Sequence, residues 1–284
     1  MSKRKVAVVM DSTANLSPEM LAENDLETIP LNLIWSGESY RDGVDITTDE
    51  FYERLANSSD LPTTSQPSVG DFHEFFSKVA ETADSIVCVT LSSELSGTYA
   101  SAIGAVELME DIPIEVIDSR SVSVGHGFIT LAAAHAAQTG ADYQAVAQAA
   151  RDLVPIMNVF FAVDTLEYLH RGGRIGGASR LIGSALSIKP VLQVDDGKIN
   201  DLARVRTKKK ALNYLADLAE EMYQGKNNVH LAVVDAVSPD EARQLGEELQ
   251  KRLNPVELIY GELSPVVGTH GGPGTVGFGG YYES

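Results

Sequence analysis

Along the first half of the chain, short unbroken apolar runs alternate with stretches of helical periodicity. Val6-Ala7-Val8-Val9-Met10 has no polar face, the pattern of a parallel strand buried on both sides. Ser17-Pro18-Glu19 then supplies an N-cap followed by proline at the first helical position. Residues 29–35 read as a second strand and 49–57 as a helix behind Thr47-Thr48. Ser68-Val69-Gly70-Asp71 has the form of a capping box with aspartate in the acidic place, opening a helix that runs to about residue 82. Strands at 85–91 and 112–118 bracket a helix over 98–109, and helices at 127–139 and 143–154 follow. The alternation predicts an α/β domain with a parallel sheet.

The second half has a different rhythm. A strand at 159–163 leads into a short helix at 165–170 that runs into Gly172-Gly173. Apolar runs at 187–193 and 198–204 flank Asp195-Asp196-Gly197, a strong hairpin signal. A long amphipathic helix at 208–222, a strand at 229–235, a helix capped by Ser238-Pro239-Asp240-Glu241, an apolar run at 256–260 and a glycine-rich tail complete the chain. The pattern predicts an α+β domain with a mixed or antiparallel sheet. Two domains are expected, 1–154 and 155–284, dividing near Pro155.

Charge narrows the function. Among 284 residues, Lys and Arg number 22 and Asp and Glu 40, a formal net charge of −18, which repels phosphate backbones and argues against a nucleic-acid partner. The single cysteine, Cys88, excludes an intramolecular disulfide framework and fits a reducing compartment. Lys3-Arg4-Lys5 precedes an apolar run that Asp11 ends after five residues, too short for a signal peptide, so the expected location is the cytoplasm.

Ligands of open parallel sheets bind beyond the carboxyl ends of the strands. Here those positions carry Asp11-Ser12-Thr13, Ser92-Ser93-Glu94-Leu95-Ser96-Gly97-Thr98-Tyr99 and Asp118-Ser119-Arg120-Ser121, with Thr63-Thr64-Ser65-Gln66-Pro67-Ser68 nearby. All are rich in hydroxyls and poor in cations. Ser96-Gly97-Thr98 also opens a helix, where free N–H groups and a partial positive charge are available. Together they describe a neutral anion site that holds a carboxylate by dipoles and hydroxyls. Taken singly, each loop serves equally well as an N-cap or turn, and Asp11 and Asp118 as loop hydrogen-bonders.

Other templates fail. The chain has no Gly-x-x-x-x-Gly-Lys-Ser/Thr loop and no Gly-x-Ser-x-Gly elbow. Gly272-Pro273-Gly274-Thr275-Val276-Gly277 has dinucleotide-fingerprint spacing, but only seven residues follow it, so its glycines are expected to permit tight turns. The six histidines show no paired metal-ligand spacing. His270, among glycines, reads either as a ligand contact or as a turn histidine. Arg171-Gly172-Gly173-Arg174-Ile175-Gly176-Gly177 reads either as a dock for a phosphate or acidic partner or as a helix C-cap. The basic run at 205–210 reads as a solvated first turn or a partner-facing patch.

Taken in order, these motifs resemble the DegV family of bacterial fatty-acid-binding proteins. The resemblance runs end to end, through Asp11-Ser12-Thr13, Thr63-Thr64-Ser65-Gln66-Pro67-Ser68, Leu91-Ser92-Ser93-Glu94-Leu95-Ser96-Gly97, Asp118-Ser119, Thr165-Leu166-Glu167-Tyr168-Leu169, Gly172-Gly173-Arg174-Ile175, Lys189-Pro190-Val191-Leu192, Val205-Arg206-Thr207-Lys208 and the His270 segment. It implies two α/β-type domains enclosing a long-chain, palmitate-like fatty acid, with no cofactor or metal. The carboxylate would be held by Thr64 or the adjacent Thr63, by Ser96 or the adjacent Ser93 together with Gly97, and by a network including His270. It further implies a carrier without catalysis of its own, presenting its ligand to a separate ATP-binding fatty acid kinase subunit, with Arg174 at that partner contact. Transient membrane contact is compatible with such a cargo. The alternative is a serine-dependent acyl hydrolase or acyltransferase with Ser96 as nucleophile and His270 as base; no acidic third member is evident and Ser96 lies in no elbow motif.

Overall fold

The computed structural model describes residues 3–182 and 188–283. In the first half, β1 (Ala7–Asp11) leads through α1 (Pro18–Glu23) to β2 (Glu27–Ile29). A hairpin of β3 (Asn32–Trp35) and β4 (Glu38–Arg41) follows, then α2 (Thr48–Asn57), β5 (Thr63–Ser65) and α3 (Val69–Ala80). Next come β6 (Ile86–Thr90), α4 (Thr98–Val106), β7 (Ile114–Asp118), α5 (Val124–Gln138) and α6 (Tyr143–Leu153). The second half holds β8 (Asn158–Ala162), α7 (Glu167–Arg171), β9 (Lys189–Asp195), β10 (Lys198–Val205), α8 (Lys208–Tyr223) and β11 (Val229–Asp235). It ends with α9 (Pro239–Leu253), β12 (Glu257–Glu262), α10 (Pro265–Gly271) and β13 (Val276–Tyr282).

Three sheets result. The first is parallel, in the order β2-β1-β6-β7; the second is mixed, in the order β10-β9-β8-β13-β11-β12, with only β11 and β12 parallel among its neighbours. The fold is therefore α/β with a mixed second sheet, as the hydrophobic pattern predicts. The third, the antiparallel β4-β3-β5, has no counterpart in that pattern. Residues 29–35 do not form one strand: β2 ends at Ile29 in the parallel sheet, and after Pro30-Leu31 the chain enters β3 in the small sheet. Ser36 and Gly37 join β3 to β4 with φ of 52° and 85°, the two-residue turn whose twist suits a hairpin. Asp196 and Gly197, at 46° and 77°, do the same between β9 and β10. Position 187, the expected start of the strand before that turn, lies outside the described residues.

The layers follow from burial. Phe72 and Phe76 of α3 and Ala102 and Ala105 of α4 cover one face of the parallel sheet against Ala7, Val9 and Cys88. The other face meets α5 and α6 in a core that also takes in Ala232 and Val234 of β11, so α5 lies between the two large sheets. That accounts for an alanine-rich helix with buried residues on every side: small side chains let both sheets approach it. Helices α8 and α9 cover the far face of the second sheet.

The glycine-rich tail is the largest departure from expectation. It forms β13, an interior strand paired with both β8 and β11. Gly279 is needed where α5 crosses that strand, because a Cβ there would lie 2.8 Å from a methyl of Val124. The helix expected from position 127 in fact begins at Val124. Among the described residues, no helix is long and apolar enough to cross a membrane.

Because Ala133 of α5 is fully buried between sheets, Ala133→Leu should overpack the layer and lower stability by about 1–3 kcal/mol. Urea unfolding midpoints measure this, and an unchanged midpoint would contradict the sandwiched position of α5.

Candidate functional site

The loops after β1, β6 and β7 open onto a cavity whose opposite wall comes from β8, β10, β11, α7 and α10. The space it encloses, open mouth included, is about 860 Å³. Its walls are chiefly apolar: Leu31, Leu91, Leu95 and Val122 from the first half, and Val159, Phe160, Phe161, Leu169, Ile199, Val234, Val266 and Val267 from the second. Polar groups are few, and four of them, Thr64, Ser96, Arg174 and His270, bear on the sequence expectations.

Strand register selects Thr64. On β5 it pairs with Leu33, which is fully buried, whereas Thr63 pairs with the exposed Ile34 and is itself exposed. Directly paired residues share a face, so Thr64 points inward and Thr63 outward. Thr64 Oγ1 lies 2.8 Å from His270 Nε2. His270 sits on α10 and not in a turn, and its Nδ1 is buried without a hydrogen-bond partner. Gly172 packs against that nitrogen; a Cβ at Gly172 would overlap it, although the backbone there is ordinary helical.

Ser96 Oγ is 2.9 Å from Thr98 Oγ1 and accepts from the Thr98 N–H at 3.3 Å, at the entry to α4. Ser93 and Gly97 do not line the cavity. Ser93 is exposed, its N–H donating to Asp118 and its hydroxyl receiving Arg120; Gly97 is exposed with Gln66 against it. The expected adjacent members Thr63, Ser93 and Gly97 therefore stand outside the lining, where register and turn geometry put them.

Arg174 alters the picture of a cation-poor site drawn from the hydroxyl loops. Its guanidinium folds back to donate to the carbonyls of Leu95 (3.1 Å) and Gly172 (2.7 Å), half-buried at the cavity wall. The exposed arginine of this loop is Arg171, paired with Glu167 at 2.8 Å. The site is consequently not free of cations. Burial, reinforced by the nearby Arg174 charge, lowers the His270 pKa to about 4, so the imidazole is neutral at pH 7.

One supporting group, Asp42, carries no signal in the sequence. Asp42, 3% exposed, accepts from Ser12 (2.7 Å) and Ser264 (3.0 Å) and from the Val266 N–H (3.3 Å), fixing the start of the helix that carries His270. Burial pushes its pKa up to about 6, against the pull of those donors. Asp11 is fully buried and receives the Thr13 N–H and hydroxyl and the Leu91 N–H, clamping two cavity loops together. No spacing in the chain marks Asp42 as a partner of residues more than 220 positions away. A hydrolase arrangement is not formed: His270 Nε2 faces Thr64, and Nδ1 has no carboxylate partner. Among the described residues no group of three or more His, Cys, Asp or Glu is placed to hold a metal.

An apolar cavity with a small polar cluster on its wall is suited to an amphiphile bearing one acidic or polar end. The chain belongs to the DegV family: it matches the family model, described as "Uncharacterised protein, DegV family", over residues 5–283. It is 36% identical over 280 residues to a DegV domain-containing protein of Halalkalibacterium halodurans, covering 98% of this chain and 99% of that one. A fatty-acid-binding DegV family protein of Thermus thermophilus superposes with a TM-score of 0.93 at 32% identity, covering 98% of this chain and 100% of the other. A stearic-acid-binding protein of Eubacterium ventriosum gives 0.88 at 31% identity, covering 99% and 98%.

Two expected outcomes follow from His270. Its pKa is lowered from 6.5 to about 4, so its neutral form contributes stability above pH 6.5 that is lost as pH falls through about 4. That lowering corresponds to roughly 3 kcal/mol. Urea unfolding of ligand-free protein at pH 7, 5.5 and 4.5 should show wild type losing more stability than His270→Gln; parallel slopes would contradict a neutral buried imidazole. Gly172→Ala should displace the imidazole and weaken ligand binding about tenfold or more, the equivalent of one broken charged hydrogen bond; equilibrium titration reads the loss.

Proposed function

We propose that this chain binds a long-chain fatty acid between its N-terminal part, 1–154, and its C-terminal part, 155–284, and carries it without catalysing a reaction on it. The observation that carries this reading is the polar cluster of Thr64, His270, Ser96 and Arg174 on the wall of a largely apolar cavity. In this reading His270, in its Nε2–H form, donates to Thr64 Oγ1 and turns the Thr64 hydroxyl hydrogen toward the ligand carboxylate. Thr98 donates likewise to Ser96 Oγ, freeing the Ser96 hydrogen for the same carboxylate. Arg174, held by two carbonyls, contributes positive charge nearby. The related proteins of Thermus thermophilus and Eubacterium ventriosum, described as binding fatty acid and stearic acid, support this reading.

Magnitudes divide the labour. Burying about 15 methylenes is worth on the order of 12 kcal/mol before ordering costs. A hydrogen bond to a charged carboxylate nets about 1.5–3 kcal/mol. The tail sets affinity, and the hydroxyls fix where the head group points. A fixed head group is what a separate ATP-binding kinase subunit would need in order to phosphorylate the carboxylate, and such a subunit is the proposed partner. The cytoplasm, where ATP is available, is the proposed location.

Mass spectrometry of ligand extracted from purified protein should return long-chain fatty acid; protein that is empty as purified and takes up none when titrated sinks the reading. Ser96→Ala should weaken fatty-acid binding only about tenfold yet depress phosphorylation by the partner further. Equal losses in both assays would contradict the division between tail and head group.

A further inference from the structure

We infer that the cavity reads a hydroxyl carried on the acyl chain, through Ser123 at the start of α5. This rests on the fatty-acid reading above and narrows its ligand class. Ser123 lines the cavity, is 4% exposed, and its Oγ has no hydrogen-bond partner. It occupies the N-cap position of α5, a 15-residue helix, yet makes no side-chain cap bond. The first N–H groups of a helix have no partner within it, so donors accompany the hydroxyl at this point.

The neighbouring hydroxyls are already engaged. Thr13 Oγ1 donates to Asp11 at 2.6 Å and lies 3.3 Å from His126 Nδ1. Thr275 Oγ1 donates to the carbonyls of Gly271 and Gly272, both at 2.9 Å. Ser123 alone among these three is left open, beside the apolar Val122 and Val159. An unsubstituted alkyl chain lying there would leave it without a partner. A ligand hydroxyl both donates and accepts, matching an Oγ that can do either and helix N–H groups that only donate. A ketone oxygen would use the donors alone, so a hydroxy acid is the better match. No hydrogen bond links Ser123 to Thr64, Ser96, His270 or Arg174.

The test uses delipidated full-length protein, stearic acid and a positional series of monohydroxystearic acids, titrated into wild type, Ser123→Ala and Ser123→Gly. The glycine variant tolerates the left-handed φ of 56° at this position and guards against misfolding of the alanine variant. One isomer should gain about tenfold over stearic acid in wild type relative to both variants, and stearic acid itself should bind both variants at least as tightly as wild type. Discrimination within about threefold for every isomer in all three proteins would overturn the inference. Weaker stearic acid binding in both variants would also overturn it, showing that Ser123 holds a water that the plain ligand uses. If stearic acid binds wild type and no isomer is discriminated, this inference alone fails; if stearic acid does not bind wild type, the fatty-acid reading fails and takes this one with it.

Discussion

A neutral imidazole in an apolar wall is the constraint on which the site depends. His270 is held by one hydrogen bond to Thr64, 206 positions away in the chain. That bond ties the small sheet of β3, β4 and β5 to α10, and so joins the two halves across the cavity. Charging the imidazole would place a second cation close to Arg174 with little water to screen it, which is why burial and that neighbour both favour the neutral form. In the proposed reading, a neutral ring in its Nε2–H form leaves Thr64 a hydroxyl hydrogen to offer an acid, and leaves Arg174 as the nearby positive charge.

Much of the rest of the molecule holds that arrangement in place. Asp42 anchors the start of α10 through two hydroxyls and an N–H, Asp11 joins the loops after β1 and β6, and Arg120 reaches from the loop after β7 to Asp196 at the tip of the β9–β10 turn. Asp42 and Asp11 each receive several donors, which satisfies a buried carboxylate without spending a lysine on the cavity.

How much of this is legible in the chain depends on whether a residue's role is local. Strands β1, β6 and β7 are legible directly, because a continuous apolar run between two helical stretches fits a strand covered on both faces and little else. The Asp196-Gly197 turn is legible for a similar reason, its residue types being those a tight hairpin demands. Ser36-Gly37 carries the same kind of signal, but only four residues follow before Asp42, too few for alternation to show β4. Strand β13 is hidden by its own composition: Gly277, Gly279 and Gly280 have no side chains with which to display a period. The hydroxyl loops are legible too, and the structure places members of them along the cavity. The choice between Thr63 and Thr64 needs the pairing of β5 with β3, and the choice between Ser93 and Ser96 needs the turn into α4. The inward fold of Arg174 is set by the carbonyls of Leu95 and Gly172, the first of which comes from the other half of the chain.

The position of α5 links stability to ligand choice. A helix whose first turns are buried between two sheets has its lateral position set by packing on both sides, so its N-terminus cannot retreat from the cavity without disturbing both cores. Ser123 is thus held where it is by the sandwich, in a left-handed conformation and without a cap bond. A serine kept there solely for packing would be replaceable by alanine or glycine with the removal of an unsatisfied hydroxyl. Buried polar groups are hydrogen-bonded in the great majority of folded proteins. In a cavity built to receive a guest, the partner that Ser123 lacks within the chain is one the guest can bring.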